Sequence, residues 1–369
     1  MRTLLLNRHF QVAIFALALC LSVLGGFTSP ADAAMVGFAG ATLAANNPTL
    51  LDLAKRQDPD GNIANIVELM AATNPVLEDM GWQEGNLETG HRTTVRTGLP
   101  IPTWRKLYGG VQPTKSTTAQ VTDNCGMLEA YAEVDKALAD LNGNAMKFRM
   151  TEDQAHIEGM AQELAQTLFY GNEGTEPEAF TGLAPRYNLL SAQNADNIVD
   201  HGGVGADNAS IWLCVWGPNT GFGIVPKGST AGLKMRDLGE VTIENVDGAG
   251  GRMQGYRTHY RQDAGLTIRD WRYFVRVANI DVSDLATIAN TKLLINSMIK
   301  ASERIPALGR GRAAFYMNRT CREALRLGIL EKITTNLNWE TVAGKRVMTF
   351  DDVPVRRCDA LTSTEARVV

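Results

Sequence analysis

The stretch "LTIRDWRYFVRVANID", residues 266–281, contains three arginines and three aromatic residues within sixteen positions. In an extended strand, successive side chains point to opposite faces. That alternation groups Trp271 with Tyr273 on one face and Arg272 with Arg276 on the other. The first face predicts packing against a core. The second is typical either of a solvated outer face or of a protein–protein contact, where arginine and aromatic residues are enriched.

The composition is that of a globular protein with a small negative charge. Of the 369 residues, 44% are hydrophobic and 21% are charged, and the formal net charge is −4 at pH 7. A chain of this length can bury one large core or two medium ones. The negative balance excludes a strongly basic nucleic-acid-binding protein, because phosphate neutralisation needs concentrated lysine and arginine, but it leaves room for local basic patches.

The first 34 residues have the pattern of a secretory signal. Arg2 and Arg8 precede an apolar run over residues 12–24, and the small-residue stretch "ADAA" follows with an A-x-A pair. The run is short for a membrane span. We predict that residues 1–34 are a leader with no packing role in the fold and that Met35 begins the functional protein. Secretion is the alternative.

Cysteine usage favours a reducing compartment. Cys125, Cys214, Cys321 and Cys358 lie far apart, and they form neither a C-x-x-C motif nor a Cys/His metal spacing. We interpret them as isolated buried thiols, because a chain of this size folds without disulfides. Their even number keeps the secreted alternative open.

Residues 90–118, "GHRTTVRTGLPIPTWRKLYGGVQPTKSTT", predict a long irregular hairpin. Alternation at Thr93, Val95 and Thr97 is typical of a strand, and paired prolines and glycines interrupt the rest. The stretch has few aliphatic residues, so it cannot build a core of its own, and a hairpin of this length needs a partner surface. We expect it to project from the body and to pack poorly within its own chain.

Residues 151–170, "TEDQAHIEGMAQELAQTLFY", predict an α-helix about 30 Å long. Thr151 is the predicted N-cap, and Gln154 completes a capping box. Apolar residues recur at helical spacing along one face. Gly171 is the predicted stop signal.

The remainder predicts a β-rich region with interspersed helices, so the fold class is α+β. Strands are predicted at 210–217 and 221–226, helices at 285–304 and 319–327, and a hairpin with a last strand near the C-terminus. Asn318 is the predicted cap of the second helix and Gly328 its stop. No segment repeats at a fixed period.

The sequence contains no motif that indicates catalysis. "GIVPKGST", residues 223–230, has its lysine and glycine in the wrong order for a phosphate-binding loop. "DNIVDH", residues 196–201, could bring two carboxylates and an imidazole together, but no further ligand cluster supports a metal site. We expect no enzymatic activity, no cofactor and no bound metal.

Four stretches, taken in their order along the chain, carry a family resemblance. They are "TLFYGNEGTEPEAFTGLAPRYN" (167–188), "GLTIRDWRYFVRVANID" (265–281), "FYMNR" (315–319) and "MTFDDVPVRRCDAL" (348–361). In this combination the chain resembles the major capsid proteins of tailed bacteriophages, most of all those of short-tailed phages and prophages. The resemblance covers most of residues 35–369.

The resemblance implies the Hong Kong 97-type capsid fold, also called the Johnson fold. It assigns an N-terminal arm to residues 35–89, an extended hairpin loop to 90–118, and a peripheral domain to 119–209 with a spine helix at 151–170. It assigns an axial domain to 210–339 and strands that return to the peripheral domain to 340–369.

The function implied is that of a major capsid protein that assembles with itself, as hexamers and pentamers, into the icosahedral DNA-containing head of a phage or prophage. Scaffold, portal and decoration proteins are further implied partners, with packaged DNA bound non-specifically and no membrane. The implied location is the virion, after assembly in the host bacterial cytoplasm. The alternatives are an encapsulin-like compartment shell and an exported β-rich binding protein or hydrolase.

The hairpin loop would then lie over a neighbouring subunit, and charged residues become candidate contacts between subunits. The basic candidates are Arg92, Arg96, Arg105, Lys106, Arg272 and Arg276. The acidic candidates on the spine helix are Glu152, Asp153, Glu158 and Glu163.

Overall fold

The computed structural model describes Pro48 and residues 72–141, 145–244, 250–330, 337–342 and 345–369. The predicted leader, and the predicted arm as far as residue 71 apart from Pro48, lie outside the described residues. Contacts divide the chain into two compact units. The smaller unit includes the described parts of Glu133–Thr151 and Leu238–Thr258, and the larger includes those of Val67–Ala132, Glu152–Asp237 and His259–Val369.

The described residues form five α-helices and thirteen strands, a mixed helix-and-strand fold as the sequence predicts. The helices are α1 (Val76–Asp79), α2 (Lys136–Asp140), α3 (Ala145–Tyr170), α4 (Ile288–Arg304) and α5 (Arg319–Leu330). The strands are β1 (Trp82–Glu84), β2 (Gly90–Gly98), β3 (Thr117–Asp135), β4 (Ile198–Asp200), β5 (Asn208–Trp216), β6 (Gly221–Val225), β7 (Lys234–Glu244), β8 (Arg252–Ile268), β9 (Phe274–Asp281), β10 (Arg312–Met317), β11 (Leu337–Val342), β12 (Lys345–Phe350) and β13 (Val353–Arg357).

A seven-stranded sheet in the larger unit has the order β11-β12-β13-β10-β5-β9-β4. All nine residues of its strand β5 are buried, as the apolar run "SIWLCVW" predicts for a strand covered on both faces. β5 pairs antiparallel with β9 and with β10. The largest core cluster of the unit surrounds these three strands.

The opening stretch differs from the predicted half-exposed strand. Trp271–Tyr273 is a short 3₁₀ turn, and the Asp270 carboxylate accepts a hydrogen bond from the backbone N–H of Arg272 to begin it. The strand starts only at Phe274, and seven of its eight residues are buried. Both faces of β9 are therefore covered, which the alternation of apolar and charged residues did not predict.

Arg276 lies inside this core with 4% of its surface exposed. Its Nη2 is 2.7 Å from Glu365 Oε2, its Nη1 donates to the Tyr187 carbonyl at 2.8 Å, and its Nε donates to Ser210 Oγ at 3.0 Å. The Ser210 hydroxyl donates in turn to Glu365, and the guanidinium lies over the Trp212 ring at 5.4 Å. A buried charge is tolerated only when it is paired and hydrogen-bonded, and Arg276 meets both conditions within its own chain.

Helix α3 begins six residues before the predicted start. The Thr151 hydroxyl donates to the Phe148 carbonyl within the helix, so Thr151 is not the N-cap. Phe148 is fully buried in the small cluster that includes Val134 and Leu138, and this burial stabilises the additional helical turns. A capping signal read from local residues could not reveal that contact.

The C-terminal end of α3 at Tyr170 is confirmed, for a reason that differs from the predicted one. Gly171 does not have a positive φ angle. A Cβ atom at Gly171 would instead lie 2.5 Å from the Phe180 carbonyl oxygen and 2.6 Å from the Thr167 carbonyl oxygen. Close backbone approach, not a left-handed conformation, requires glycine here.

Helix α5 confirms its predicted cap but not its predicted end. The Asn318 side chain accepts a hydrogen bond from the Cys321 backbone N–H at 2.9 Å. The helix continues through Gly328, where a Cβ atom would lie 2.8 Å from the Thr291 side chain on α4. Gly328 therefore permits two helices to pack closely and does not end α5.

A six-stranded sheet has the order β1-β6-β8-β3-β2, with β7 paired to β8. In the smaller unit, the described residues bury Val134, Leu138, Ala139 and Phe148 against the partly buried Tyr256. Polar contacts there include a Lys136–Glu240 ion pair at 2.8 Å and an Arg257–Glu133 pair at 2.6 Å.

Three of the four thiols agree with the interpretation from the sequence, and Cys125 is only half-buried. Cys125, Cys214, Cys321 and Cys358 are free, and the last three are buried. Burial raises the pKa of Cys125 to about 11 and that of Cys321 and Cys358 to about 12. These thiols are therefore protonated and unreactive near neutral pH.

Replacing Arg276 by Met should lower the free energy of unfolding by about 3–5 kcal/mol, because the change leaves the Glu365 carboxylate buried without its cation. Arg272→Met, four residues away on an exposed pair with Asp270, is the matched control and should change it by less than about 1 kcal/mol. Urea unfolding of dilute subunits at neutral pH measures both. Equal effects of the two substitutions would contradict the central role of the buried pair.

Candidate assembly surface

The predicted hairpin is formed by β2 and β3. The two strands pair antiparallel from Gly90 opposite Asn124 to Gly98 opposite Thr117, with an irregularity after Arg96. Between them, residues 99–116 belong to no strand or helix, and all but one of them are exposed. The loop thus packs poorly against its own chain, as the sequence predicts.

The exposed loop carries large apolar side chains that the average composition of the hairpin conceals. Trp104 and Tyr108 are fully exposed, and Leu107, Leu99 and Ile101 are at least three-quarters exposed. The backbone N–H of Gly109 donates to the Lys106 carbonyl at 3.0 Å, which closes a tight turn, and Tyr108 has a φ of 61°. A positive φ is unusual for an aromatic residue, and such local strain often marks a functional position. We call residues 99–111 the hairpin tip.

Basic side chains accompany these apolar ones. Arg96, Arg105 and Lys106 are exposed, and none forms an ion pair with a described residue. Arg92 lies lower on the hairpin, where its Nε donates to the Thr122 hydroxyl at 3.2 Å across the strands. The hairpin tip therefore combines exposed aromatic rings with unneutralised positive charge.

An apolar groove runs between helix α3 and strand β3 within the larger unit. Two adjoining cavities of about 210 and 350 Å³ form it, and they share Leu128 and Glu163 in their linings. Leu128, Met160 and Phe180 are among the apolar side chains that line the groove. Four exposed carboxylates line it as well: Glu129, Glu163, Glu176 and Glu178. We call this feature the helix groove.

The structure separates the four acidic candidates of the spine helix. Glu163 lines the helix groove. Glu158 instead accepts hydrogen bonds from Gln162 and from the backbone N–H of Ala72, and both bonds lower its pKa. Glu152 and Asp153 are half-buried near the start of the predicted helix. Sequence reasoning missed Glu176 and Glu178, which follow α3 in a loop and join Glu163 only through tertiary packing.

The two arginines of the opening stretch have different surroundings. Arg272 is exposed, and its guanidinium makes a two-bond pair with Asp270 at 2.7 and 2.9 Å. It stays a candidate contact. Arg276 is buried and takes all its described partners from its own chain, so it is not available to a neighbouring subunit. We remove Arg276 from the contact set for that reason.

A buried polar cluster holds the base of the hairpin. Asp123 on β3 accepts from Arg186 at 2.8 Å and from the Thr267 hydroxyl at 2.6 Å. Opposite Asp123, His91 on β2 lies with its Nε2 3.2 Å from Arg269 Nη2. Since arginine can only donate, His91 must accept through Nε2 and is neutral.

Two histidines in the larger unit have lowered pKa values. Burial is the main cause for His91, and the Arg269 charge adds to it. Burial is likewise the main cause for His201, whose Nδ1 is 3.0 Å from Ser297 Oγ. Both arrangements therefore favour the neutral imidazole.

The described residues contain no group of three or more His, Cys, Asp or Glu side chains that could hold a metal ion. Within "DNIVDH", the Asp200 carboxylate accepts hydrogen bonds from the Gly202 backbone N–H and from the Asn279 side chain. These two hydrogen bonds explain the position of the carboxylate. No helix among the described residues is both long and apolar enough to cross a membrane.

Comparison with known proteins identifies a family and a closely similar solved structure. The family model for major capsid protein GP7 matches residues 58–369. A solved structure of bacteriophage Epsilon15 matches with 37% sequence identity and a TM-score of 0.70, covering 87% of this chain and 97% of that one. A search of curated proteins found no match.

More distant structures also match. A structure from Mycobacterium phage Adephagia has 13% identity and a TM-score of 0.40, covering 62% of this chain and 97% of that one. The holo-SrpI encapsulin complex from Synechococcus elongatus has 12% identity and a TM-score of 0.40, covering 63% and 96%.

Because His91 and His201 have pKa values below 6.5 in the folded chain, their contribution to stability is present above pH 6.5 and is lost as the pH falls below it. Each can contribute a slope of up to about 1.4 kcal/mol per pH unit in that window. His91→Asn and His201→Asn should each flatten the dependence of the unfolding free energy on pH between 6.5 and the lowered pKa. Chemical unfolding across that range tests this, and slopes identical to wild type in both variants would refute it.

Proposed function

Because this chain belongs to the major capsid protein GP7 family, we propose that its hairpin tip joins neighbouring subunits by packing into the helix groove of a second copy. The chain is a shell protein of a phage head and has the Hong Kong 97-type capsid fold. The resemblance stated from the sequence is confirmed in both respects. The contacts that hold the subunits together are the part that we propose.

Complementarity of the two surfaces carries the proposal. The hairpin tip presents Trp104 and Tyr108 with two adjacent cations, Arg105 and Lys106. The helix groove presents an apolar floor with exposed carboxylates, among them Glu163. Apolar groups would leave water on contact, and opposite charges at the rim would set the register between the subunits.

The energies are large enough for such a role. A tryptophan side chain buries about 200 Å², which corresponds to about 5 kcal/mol at about 25 cal/mol per Å² before the cost of ordering the loop. Aromatic and arginine residues are those that most often dominate binding at interfaces. In a closed shell each subunit both gives and receives such a contact, so moderate contacts combine into a stable assembly.

The remaining expectations from the resemblance stay part of this proposal. They are the arm at 35–89, the hairpin loop at 90–118, the peripheral domain at 119–209, the axial domain at 210–339 and the returning strands at 340–369. Arg272 and the predicted basic and acidic residues other than Arg276 remain proposed contacts between subunits.

Assembly into an oligomeric shell follows from the family, and the capsid of the virion is the location of the protein. We propose hexamers and pentamers, formed in the host bacterial cytoplasm, with scaffold, portal and decoration proteins as further partners. Packaged DNA would meet the shell without sequence preference. Family membership implies a structural role, and we propose that the chain has no catalytic activity. The exported binding protein or hydrolase is therefore no longer favoured.

Replacing Trp104 by Ser should raise the concentration needed for assembly at least about tenfold, because it removes the largest apolar group of the tip. The unfolding free energy of the subunit should change by less than about 0.5 kcal/mol, since the side chain touches little of its own chain. Val204→Ser is the matched control, because Val204 is 73% exposed and lies outside the hairpin. Light scattering and negative-stain microscopy measure assembly. Normal shells from the Trp104 variant would remove the tip from the interface.

Reversing charge on the tip, Arg105→Glu with Lys106→Glu, should reduce assembly and make it less sensitive to salt. Adding Glu163→Lys and Glu178→Lys to that variant should restore part of the loss, since opposite charges would face each other again. Lys227→Glu, an exposed residue elsewhere in the larger unit, serves as the control. If the two groove substitutions do not restore assembly of the tip variant, the partner of the tip lies elsewhere.

A further inference from the structure

Helix α3 contains a glycine in its interior, Gly159, that the helix itself does not require. After proline, glycine is the least favourable residue in a helix interior, because its backbone loses the most conformational freedom on folding. Gly159 is exposed, and a Cβ atom added to it would meet no neighbouring atom within 4 Å among the described residues. Alanine would therefore fit this position without a clash and would favour the helix.

The other glycines of the described helices and strands have a reason within their own subunit. Most of them lie against a neighbouring group that leaves no room for a Cβ atom, as Gly328 does against Thr291. Gly239 on β7 has instead a left-handed φ of 70°. Among these described glycines, Gly159 alone has neither a close neighbour nor a left-handed angle. We therefore look for its reason in a contact made by the surface around it.

Gly159 lies in the helix groove. It lines the larger of the two cavities, of about 350 Å³, together with Met160 and Glu163 of α3 and with Leu128 and Glu129 of β3. At this point the wall of the groove is helix backbone that no side chain covers. Apolar side chains and two exposed carboxylates surround it.

We propose that Gly159 is the seat for the indole ring of Trp104 from a second copy of the chain. This inference rests on the proposed function, in which the hairpin tip enters the helix groove. A flat ring can lie directly on a helix only where no Cβ atom stands between ring and backbone. Trp104 is fully exposed and is the largest flat side chain of the tip. Gly159 would thus set how deeply the tip enters the groove.

Charge and hydrogen bonding favour Trp104 as the ring that occupies the seat. Trp104 is followed directly by Arg105 and Lys106, and the carboxylates of Glu129 and Glu163 lie on the same cavity as Gly159. An indole on Gly159 would therefore bring both cations to these carboxylates. A buried indole N–H needs an acceptor, and Glu163, one helical turn after Gly159, provides one.

The test replaces Gly159 by Ala in the full-length chain and measures subunit stability and assembly separately. The thermal midpoint of dilute subunits should rise by about 1–3 °C, because alanine is the better helix former and its methyl group meets no neighbour. The concentration needed for assembly should rise about tenfold, because the same methyl group occupies the seat. Light scattering measures the second quantity. A variant that is more stable but assembles less well cannot be explained by misfolding.

Gly309→Ala is the matched control. Gly309 is exposed, lies outside the helix groove, and would also meet no neighbour with its added Cβ atom. The same chemical change should leave the assembly concentration unchanged there. Equal losses of assembly from Gly159→Ala and Gly309→Ala would overturn the proposal, as would a lower thermal midpoint of the Gly159 variant, which would indicate a structural role.

A double-mutant cycle identifies the ring. In a Trp104→Phe background, Gly159→Ala should raise the assembly concentration less than in the wild type, because the smaller ring leaves room for the methyl group. In a Tyr108→Leu background, Gly159→Ala should have its full effect. Full effects in both backgrounds, or a reduced effect only with Tyr108→Leu, would overturn the assignment of the seat to Trp104.

The outcomes also separate this inference from the proposed function. If Trp104→Ser impairs assembly and Gly159→Ala does not, the tip contact stands and the seat at Gly159 is refuted. If neither substitution impairs assembly, the tip contact fails and the seat fails with it. If both impair assembly and the cycle shows coupling between the two positions, both are supported.

Discussion

The larger unit depends on the need to neutralise one buried positive charge. Arg276 lies in a strand covered on both faces, where an unpaired guanidinium would cost several kcal/mol. Its carboxylate partner, Glu365, comes from the C-terminal tail. Tyr170, at the end of the long helix, donates to the same carboxylate at 2.6 Å. One ion pair thus ties the sheet, the helix and the tail together.

The features that the subunit exposes are as informative as those that it buries. The hairpin tip exposes aromatic rings and cations, and the helix groove exposes an apolar floor and carboxylates. Large exposed apolar groups on a soluble chain usually mark an interaction site. The hairpin tip carries positive charge, the helix groove carries carboxylates, and both expose apolar side chains. The tip of one copy is therefore complementary to the groove of another. The subunit thus combines a well-packed core with exposed, complementary surfaces.

Much of the architecture was predictable because it depends on residues near in sequence. The apolar run of β5, the Asn318 cap of α5 and the irregular hairpin at 90–118 each follow from local chemistry. The start of α3 was not predictable, since burial of Phe148 overrode the capping signal at Thr151. Of the candidate site, the basic residues of the tip were identified from the sequence. The role of Trp104 and Tyr108 was missed, because average composition conceals a few large side chains on an exposed loop.

The sequence by itself determined the α+β class and the poorly packed hairpin, since these follow from local pattern and composition, and its resemblance to known capsid proteins determined the family. Tertiary structure alone decided the fates of Arg272 and Arg276, which lie four residues apart in one stretch. The first is exposed beside Asp270, and the second is buried against Glu365, 89 residues further along the chain. The same is true of the helix groove, where Glu163 and Glu178 line one cavity only after folding. Burial and ion pairing depend on partners distant in sequence, and local pattern carries no information about those distances.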